Sequence, residues 1–419
     1  MTGSALRSRR GSTGFTLVEL MVALTGGLFI SLAVFALARD SGRFYQREAR
    51  IANATVGGLL GFERLRTDIA RAGFLSSPNA ARDTTHLCVL PDGNWPAALR
   101  DLASIQITTP TKVYPALQNN SRTPPSLRLA GSYGSSDTFA ARAVPNGNNI
   151  EFHLGNATPG LSLQAAALRL GNGLAPTNAA MQSVFPALRA LRIVQNGHHY
   201  YGQIINATGG ADPVVTINNV PPILVPGTVA NCGLEMPGSG ASRPLINVVN
   251  FIQYDIGQPQ TVKAQTDYAD LYANSSDAGA GEAQRTELLR LERDITGVPI
   301  EGTEEIVAEY AVDFNLQLTV VNAVVGSDPS LAVYAPGSVS YAAYSGPTFA
   351  STTTPQRIRS VRVRLGVRSR EGDRPATISS PASDGLFRFN LGTGTDEAFA
   401  RVRTFQADVV LHNQAGVLW

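Results

Sequence analysis

The run from Phe15 to Ala38 constrains this chain more than any other feature: 24 residues in which Glu19 is the only charged side chain. Wound as an α-helix it is about 36 Å long, more than the roughly 30 Å hydrocarbon core of a bilayer. Such a segment has to be covered by lipid or by other apolar helices. Arg7, Arg9 and Arg10 precede it. Basic residues hold that end in the cytoplasm, so the chain from Arg39 onward is expected to be translocated. An ionised carboxylate in hydrocarbon is costly and usually marks a function, which makes Glu19 a candidate functional residue. A cleaved secretory signal is the rival reading, because Ala36-Leu37-Ala38 supplies a small-x-small cut site that would release a soluble protein. Two features oppose it. The apolar run is longer than the roughly 7–15 residues of such signals, and Glu19 is its fifth residue.

Behind the basic leader stands Gly14-Phe15-Thr16-Leu17-Val18-Glu19-Leu20. This stretch resembles the class III signal of type IV pilins and type II secretion pseudopilins. The resemblance implies that a prepilin peptidase cuts between Gly14 and Phe15 and that the new amine of Phe15 is methylated. It also implies that the apolar stretch is kept, so that Glu19 becomes the fifth residue of the mature chain. The physical logic is independent of the family. A retained helix with an amine at its tip and a carboxylate one turn later carries two charges that need partners. In a stack of identical helices, the amine of one subunit can meet the carboxylate of the next, which relieves both and sets axial register. Within its own segment, Glu19 is expected to find no partner except the mature amine. The plainer alternative is an incidental charge near the membrane interface, paired with that amine.

From residue 39 to 74 the pattern is an amphipathic continuation of the helix. Phe44, Ile51, Leu59, Phe62, Leu65 and Ile69 fall near one face at the 3.6-residue period. Gly57, Gly58 and Gly61 interrupt it, which suggests a soft segment or another element packed closely over them, and Gly73 is placed as its end. Residues 75–240 are rich in Asn, Gly, Pro, Ser and Thr, and read as a variable part of short strands and long loops. Residues 241–419 read as an antiparallel sheet. Alternation from Ile306 to Val320 predicts one long strand, Val361 to Arg368 a second and Phe405 to Leu411 a third, with further candidates at Val248–Ile256 and Leu288–Leu291. The expected fold class is α+β: residues 1–14 a leader, 15–38 the membrane and assembly helix, 39–74 its continuation packed on an antiparallel β-rich head.

Arg71-Ala72-Gly73-Phe74, Leu288-Leu289-Arg290, the strand around Glu304-Glu305-Ile306-Val307, and Arg359–Arg370 with Arg403–Asn413 resemble the PilW group of large minor pilins. The likeness covers the first 75 residues well, the last 135 loosely and the middle not at all. It implies a structural subunit of a tip or priming complex that supports type IV pilus assembly and twitching motility. Implied partners are other minor pilins, the major pilin, an inner-membrane assembly platform and a large PilY-type adhesin. It also implies residence in the inner membrane with a periplasmic head, then in the filament or its tip at the cell surface. The alternatives are a minor pseudopilin of a type II secretion system, an adhesive or DNA-capturing tip module, and the soluble protein released after Ala38.

Composition narrows the chemistry. Apolar residues make up 43% and charged residues 16%, which is globular rather than disordered. Without the three leader arginines, 31 basic residues stand against 32 acidic ones, so the body offers no general attraction for nucleic acid. The densest basic cluster is Arg357, Arg359, Arg362, Arg364, Arg368, Arg370 and Arg374. It alternates with Val and Leu and lacks interleaved aromatics, which fits a strand face paired with carboxylates such as Glu304, Glu305, Glu309 and Asp313 better than a base-stacking surface. Cys88 and Cys232 fit one disulfide in an oxidising compartment, or two buried thiols. The five histidines have no metal-binding spacing, and His198-His199 read as part of a hairpin. No phosphate loop, nucleophile elbow or zinc-protease helix is present, and Glu304 and Glu305 alternate across a strand. No catalytic residue, metal or cofactor is therefore expected.

Overall fold

The computed structural model describes residues 16–110, 112, 114–154, 175–223, 232–235, 243–273, 285–322, 329–346, 348, 349, 352–370, 372, 387–391 and 399–417. Gly14, Phe15 and Arg374 lie outside them. Helix α1 runs from Leu17 to Ala70, 54 residues without a proline. The chain divides into two units. The first reaches Asn53 and, among the described residues, consists of α1 alone; the second starts at Ala54 and holds the end of α1 and the β-structure. Leu17–Gln46 holds a stretch long and apolar enough to cross a membrane.

In the second unit the end of α1 buries Gly58, Gly61, Phe62, Leu65, Asp68 and Ile69 at helical spacing. Leu59 departs from the expected stripe, being 47% exposed, and Phe44 in the first unit is 64% exposed. The reason is visible at the glycines. A Cβ on Gly61 would collide with the carbonyl oxygen of Val307, and one on Gly58 would lie 2.6 Å from the Phe405 ring. β-Structure carrying Val307 and Phe405 thus approaches the backbone on the glycine side and leaves Leu59 turned away. The helix ends at Ala70, and in the turn after it Gly73, at φ +76°, donates its N–H to Ala130 O at 2.8 Å.

Two antiparallel sheets follow among the described residues. The first has eleven strands. Its path is β1 (Ile105–Thr108), β2 (Ser126–Gly131), β9 (Leu245–Gly257), β6 (Ala190–Gln195), β7 (His198–Thr208), β8 (Val214–Asn218), β5 (Asn149–His153) and β4 (Arg142–Asn146). β10 (Glu287–Arg293) pairs with β9 and carries β11 (Glu305–Ala308), while β3 (Phe139–Ala140) also pairs with β9. The second sheet has five strands, in the order β13 (Ser330–Tyr334), β12 (Ala311–Asn322), β14 (Ile358–Arg368), β16 (Phe399–Val410) and β15 (Arg388–Asn390). Phe62, Leu65 and Ile69 pack in one core with Leu127, Leu129, Ile252 and Tyr254 of the first sheet and Phe314, Leu316, Val363 and Leu365 of the second.

Three sequence expectations are corrected by this topology. Residue 240 does not separate two parts of the head, because β9 lies between β2 and β6 of the preceding segment. The strand expected from Ile306 to Val320 is broken: β11 belongs to the first sheet and β12 to the second, and Tyr310 between them has φ +55°. That turn is held by the Tyr310 N–H, which donates to Glu287 Oε2 at 2.6 Å, and by the Arg285 and Arg368 guanidiniums, 4.3 and 4.8 Å from the Tyr310 ring centre. Arg368 is the third. Its alternation with Val and Leu predicts the solvated strand face, but it is buried, donating to the carbonyl oxygens of Ser369 and Arg370 at 3.0 Å. Its neighbours on β14 do pair as a strand face: Arg364 Nε lies 2.7 Å from Asp313 Oδ2 and Arg362 Nε 2.8 Å from Asp408 Oδ1.

Candidate functional site

The first candidate is the start of α1. Thr16 occupies the position before the helix and Glu19 its third residue. The Thr16 N–H and hydroxyl each donate to Glu19 Oε2 at 3.0 Å, and the Glu19 N–H donates to Thr16 Oγ1 at 3.3 Å. This reciprocal pattern is a capping box, which satisfies N–H groups that have no partner inside the helix. It also corrects the expectation that Glu19 meets no partner within its own segment. The Thr-x-x-Glu spacing was present in the sequence as a capping signal, and Thr16 is the residue that sequence reasoning passed over.

Behind the cap, α1 is exposed from Leu17 to Gln46. Phe29 and Leu17 are each 75% exposed and Phe35 71%. A continuous apolar surface of this size does not persist in water. Thr25 fits the same surroundings, since its hydroxyl donates back to Met21 O and Val22 O at 3.0 Å and leaves no bare polar group. The segment is therefore a surface that requires lipid or apolar helices around it, opened by a carboxylate tied to the helix end. Gly14 and Phe15, the expected cleavage and methylation positions, fall outside the described residues.

The second candidate is a polar cluster in the first sheet. Asn196 and Gly197, both at positive φ, join β6 to β7 in a two-residue hairpin. That hairpin puts His199 opposite the turn at Asp83–His86. His86 Nδ1 lies 2.7 Å from Asp83 Oδ1, and the His86 and His199 rings stack at 4.7 Å. Arg192 Nη2 donates to His199 Nε2 at 2.8 Å, which leaves the His199 proton on Nδ1, facing Ser77 Oγ at 3.5 Å. Burial, then the Arg192 charge, then His86 and His198 push His199 down to about 3, so its ring is neutral. Asp83, His86 and His199 present donor atoms within 4.8 Å of one another. A cation there would sit against Arg192, which already occupies His199 Nε2. The cluster is built as a hydrogen-bond network, and sequence spacing could not reveal it because its two halves, Ser77–His86 and Arg192–His199, are over a hundred residues apart.

Cys88 and Cys232 are joined by a disulfide across a Cα–Cα distance of 5.6 Å. Tyr200 braces it: its hydroxyl lies 3.8 Å from Cys88 Sγ and accepts from the Gly233 N–H at 3.1 Å. Both sulfurs are thereby withdrawn from any role as metal ligands beside His198. Comparisons of the chain with protein-family models, with curated proteins and with solved structures found no match.

Proposed function

We propose that this chain is a type IV pilin-like subunit, a large minor pilin of the PilW kind. In this reading residues 15–38 hold it in the inner membrane with its head in the periplasm, and the same helix later carries it into a filament tip or priming complex. The observation that carries the reading is the Thr16–Glu19 box at the head of an exposed apolar helix that continues without interruption to Ala70. A signal cut after Ala38 would divide that helix in the middle. A helix meant to be kept has reason to be continuous with the part that anchors it in the head, and Phe62, Leu65 and Ile69 are core residues. Partners under this proposal are a prepilin peptidase, the assembly platform, the major and other minor pilins, and a PilY-type adhesin at the tip. We assign it no catalytic step.

The decisive measurement is the intact mass of the mature protein from its native host. The expected mass is that of a chain beginning at Phe15 with one added methyl group. A mature start at Arg39 would refute the proposal.

A further inference from the structure

On the face of the first sheet opposite α1, a pocket of about 210 Å³ opens between β1, β2, β9 and the end of β10. Leu127, Leu129, Ile252 and Tyr254 point to the α1 side, so the alternation of a strand sends Arg128, Phe251 and Gln253 to the other. Arg128 lies opposite Gln253 on the neighbouring strand, and Arg293 lies opposite Phe251. Arg128 Nε and Arg293 Nε both donate to the single oxygen Gln253 Oε1, at 2.9 and 2.6 Å. Arg293 Nη1 goes on to Gly297 O at 2.5 Å. Two guanidiniums gathered on one neutral oxygen repel each other, and neither forms an ion pair with a described residue. Burial and then Arg128 hold Arg293 below the usual arginine range.

We propose that this pocket binds a compact monocarboxylate, taken between Arg128 and Arg293 with its apolar part against Ala97, Ala98 and Phe251. Both Nη groups of Arg128 and Nη2 of Arg293 remain for it, and planar guanidinium forks match a carboxylate's two oxygens. The acidic groups nearby set the charge of the ligand. Asp101 lines the pocket but is taken by Arg100 at 3.6 Å and by the Phe349 N–H at 3.2 Å. Asp255 accepts from Gln253 and Gln260. Asp294 accepts from the Thr296 and Val298 N–H groups at 2.9 Å, and Glu304 from the Thr261 N–H at 2.7 Å. These carboxylates lower the positive potential of the pocket, which disfavours a dianion such as sulfate or phosphate relative to a single carboxylate.

The test uses the full chain in detergent, titrated calorimetrically with butyrate, with N-acetylaspartate α-amide and with sulfate. At least one of the two carboxylates should bind saturably and more tightly than sulfate. Preference for butyrate identifies a free short-chain acid, and preference for the aspartate derivative identifies an acidic side chain of a partner. Arg128→Gln and Arg293→Gln should each weaken binding about tenfold or more. Arg128→Lys, which keeps the charge but not the fork, should fall between, and Arg403→Gln should leave binding unchanged. Arg128 is exposed, so its variant should keep the wild-type melting temperature. Absence of saturable carboxylate binding, tighter binding of sulfate, or wild-type affinity in Arg128→Gln would each overturn the proposal.

Discussion

Asp68 Oδ2 accepts hydrogen bonds from Arg290 Nε and from the Tyr254 hydroxyl, both at 2.8 Å, so one buried carboxylate ties the last turn of α1 to β10 and β9. The Tyr133 hydroxyl closes the same junction by donating to Asp68 O at 3.0 Å. Removing the carboxylate leaves Arg290 charged and buried without its main partner. Asp68→Ala should therefore cost about 3–5 kcal/mol of unfolding free energy. Tyr254→Phe, which removes one hydrogen bond, should cost about 1 kcal/mol. Denaturant unfolding of the two variants checks the order. If Asp68→Ala behaved like an ordinary surface substitution, the junction would not be holding the helix.

His199 gives the head an acid sensitivity. The unfolded chain protonates this ring below about pH 6.5, whereas in the folded head it is pushed down to about 3 by burial and Arg192. A depressed folded value means that the stabilisation is full above about pH 6.5 and is lost as pH falls toward 3, by at most about 1.4 kcal/mol per pH unit. His199→Gln should flatten that slope. Melting temperatures at neutral pH and near pH 4 decide the point, and an identical acid loss in wild type and variant would contradict it.

The Cys88–Cys232 bridge closes a loop with a sequence separation of 144. Chain entropy for a loop of that order corresponds to roughly 4–5 kcal/mol, an upper bound in practice. Cys88→Ser should lower the melting temperature of the head under oxidising conditions, and reduction of the wild type should reproduce the effect. Alkylation of both thiols in native, unreduced protein would show that the bridge does not form in the cell.

For Glu19, the capping box separates two roles that the sequence left merged. Glu19→Gln keeps a side chain able to complete the box but removes the charge, whereas Thr16→Val removes the cap and keeps the charge. If Glu19 pairs with the amine of a neighbouring subunit, Glu19→Gln should be exported, inserted and cleaved yet be depleted about tenfold or more in sheared filaments. Thr16→Val should enter them near wild-type level. The opposite pattern would reduce Glu19 to a helix cap. Quantitative immunoblots of membrane and filament fractions distinguish the outcomes.

Features that depend on near neighbours are written locally into the chain. The apolar run after Phe15, the Thr16-x-x-Glu19 box, the Asn196-Gly197 hairpin and the alternation of Val361, Val363, Leu365 and Val367 follow from propensity, capping and period, each set within a few residues. The stripe on α1 was legible only in part, because the approach of β11 over Gly61 decides which helical face is buried, and Leu59 then falls outside it. Long-range contacts are what set β9 beside β2, more than a hundred residues earlier, make the chain change sheets at Tyr310, and put Arg368 inside rather than outside. They also bring Asp68 to Arg290 across 222 residues, and His199 to Asp83 and His86. These are pairings of charges and strands brought together by long-range closure, and no local preference distinguishes a carboxylate that will be buried against an arginine from one that will face water.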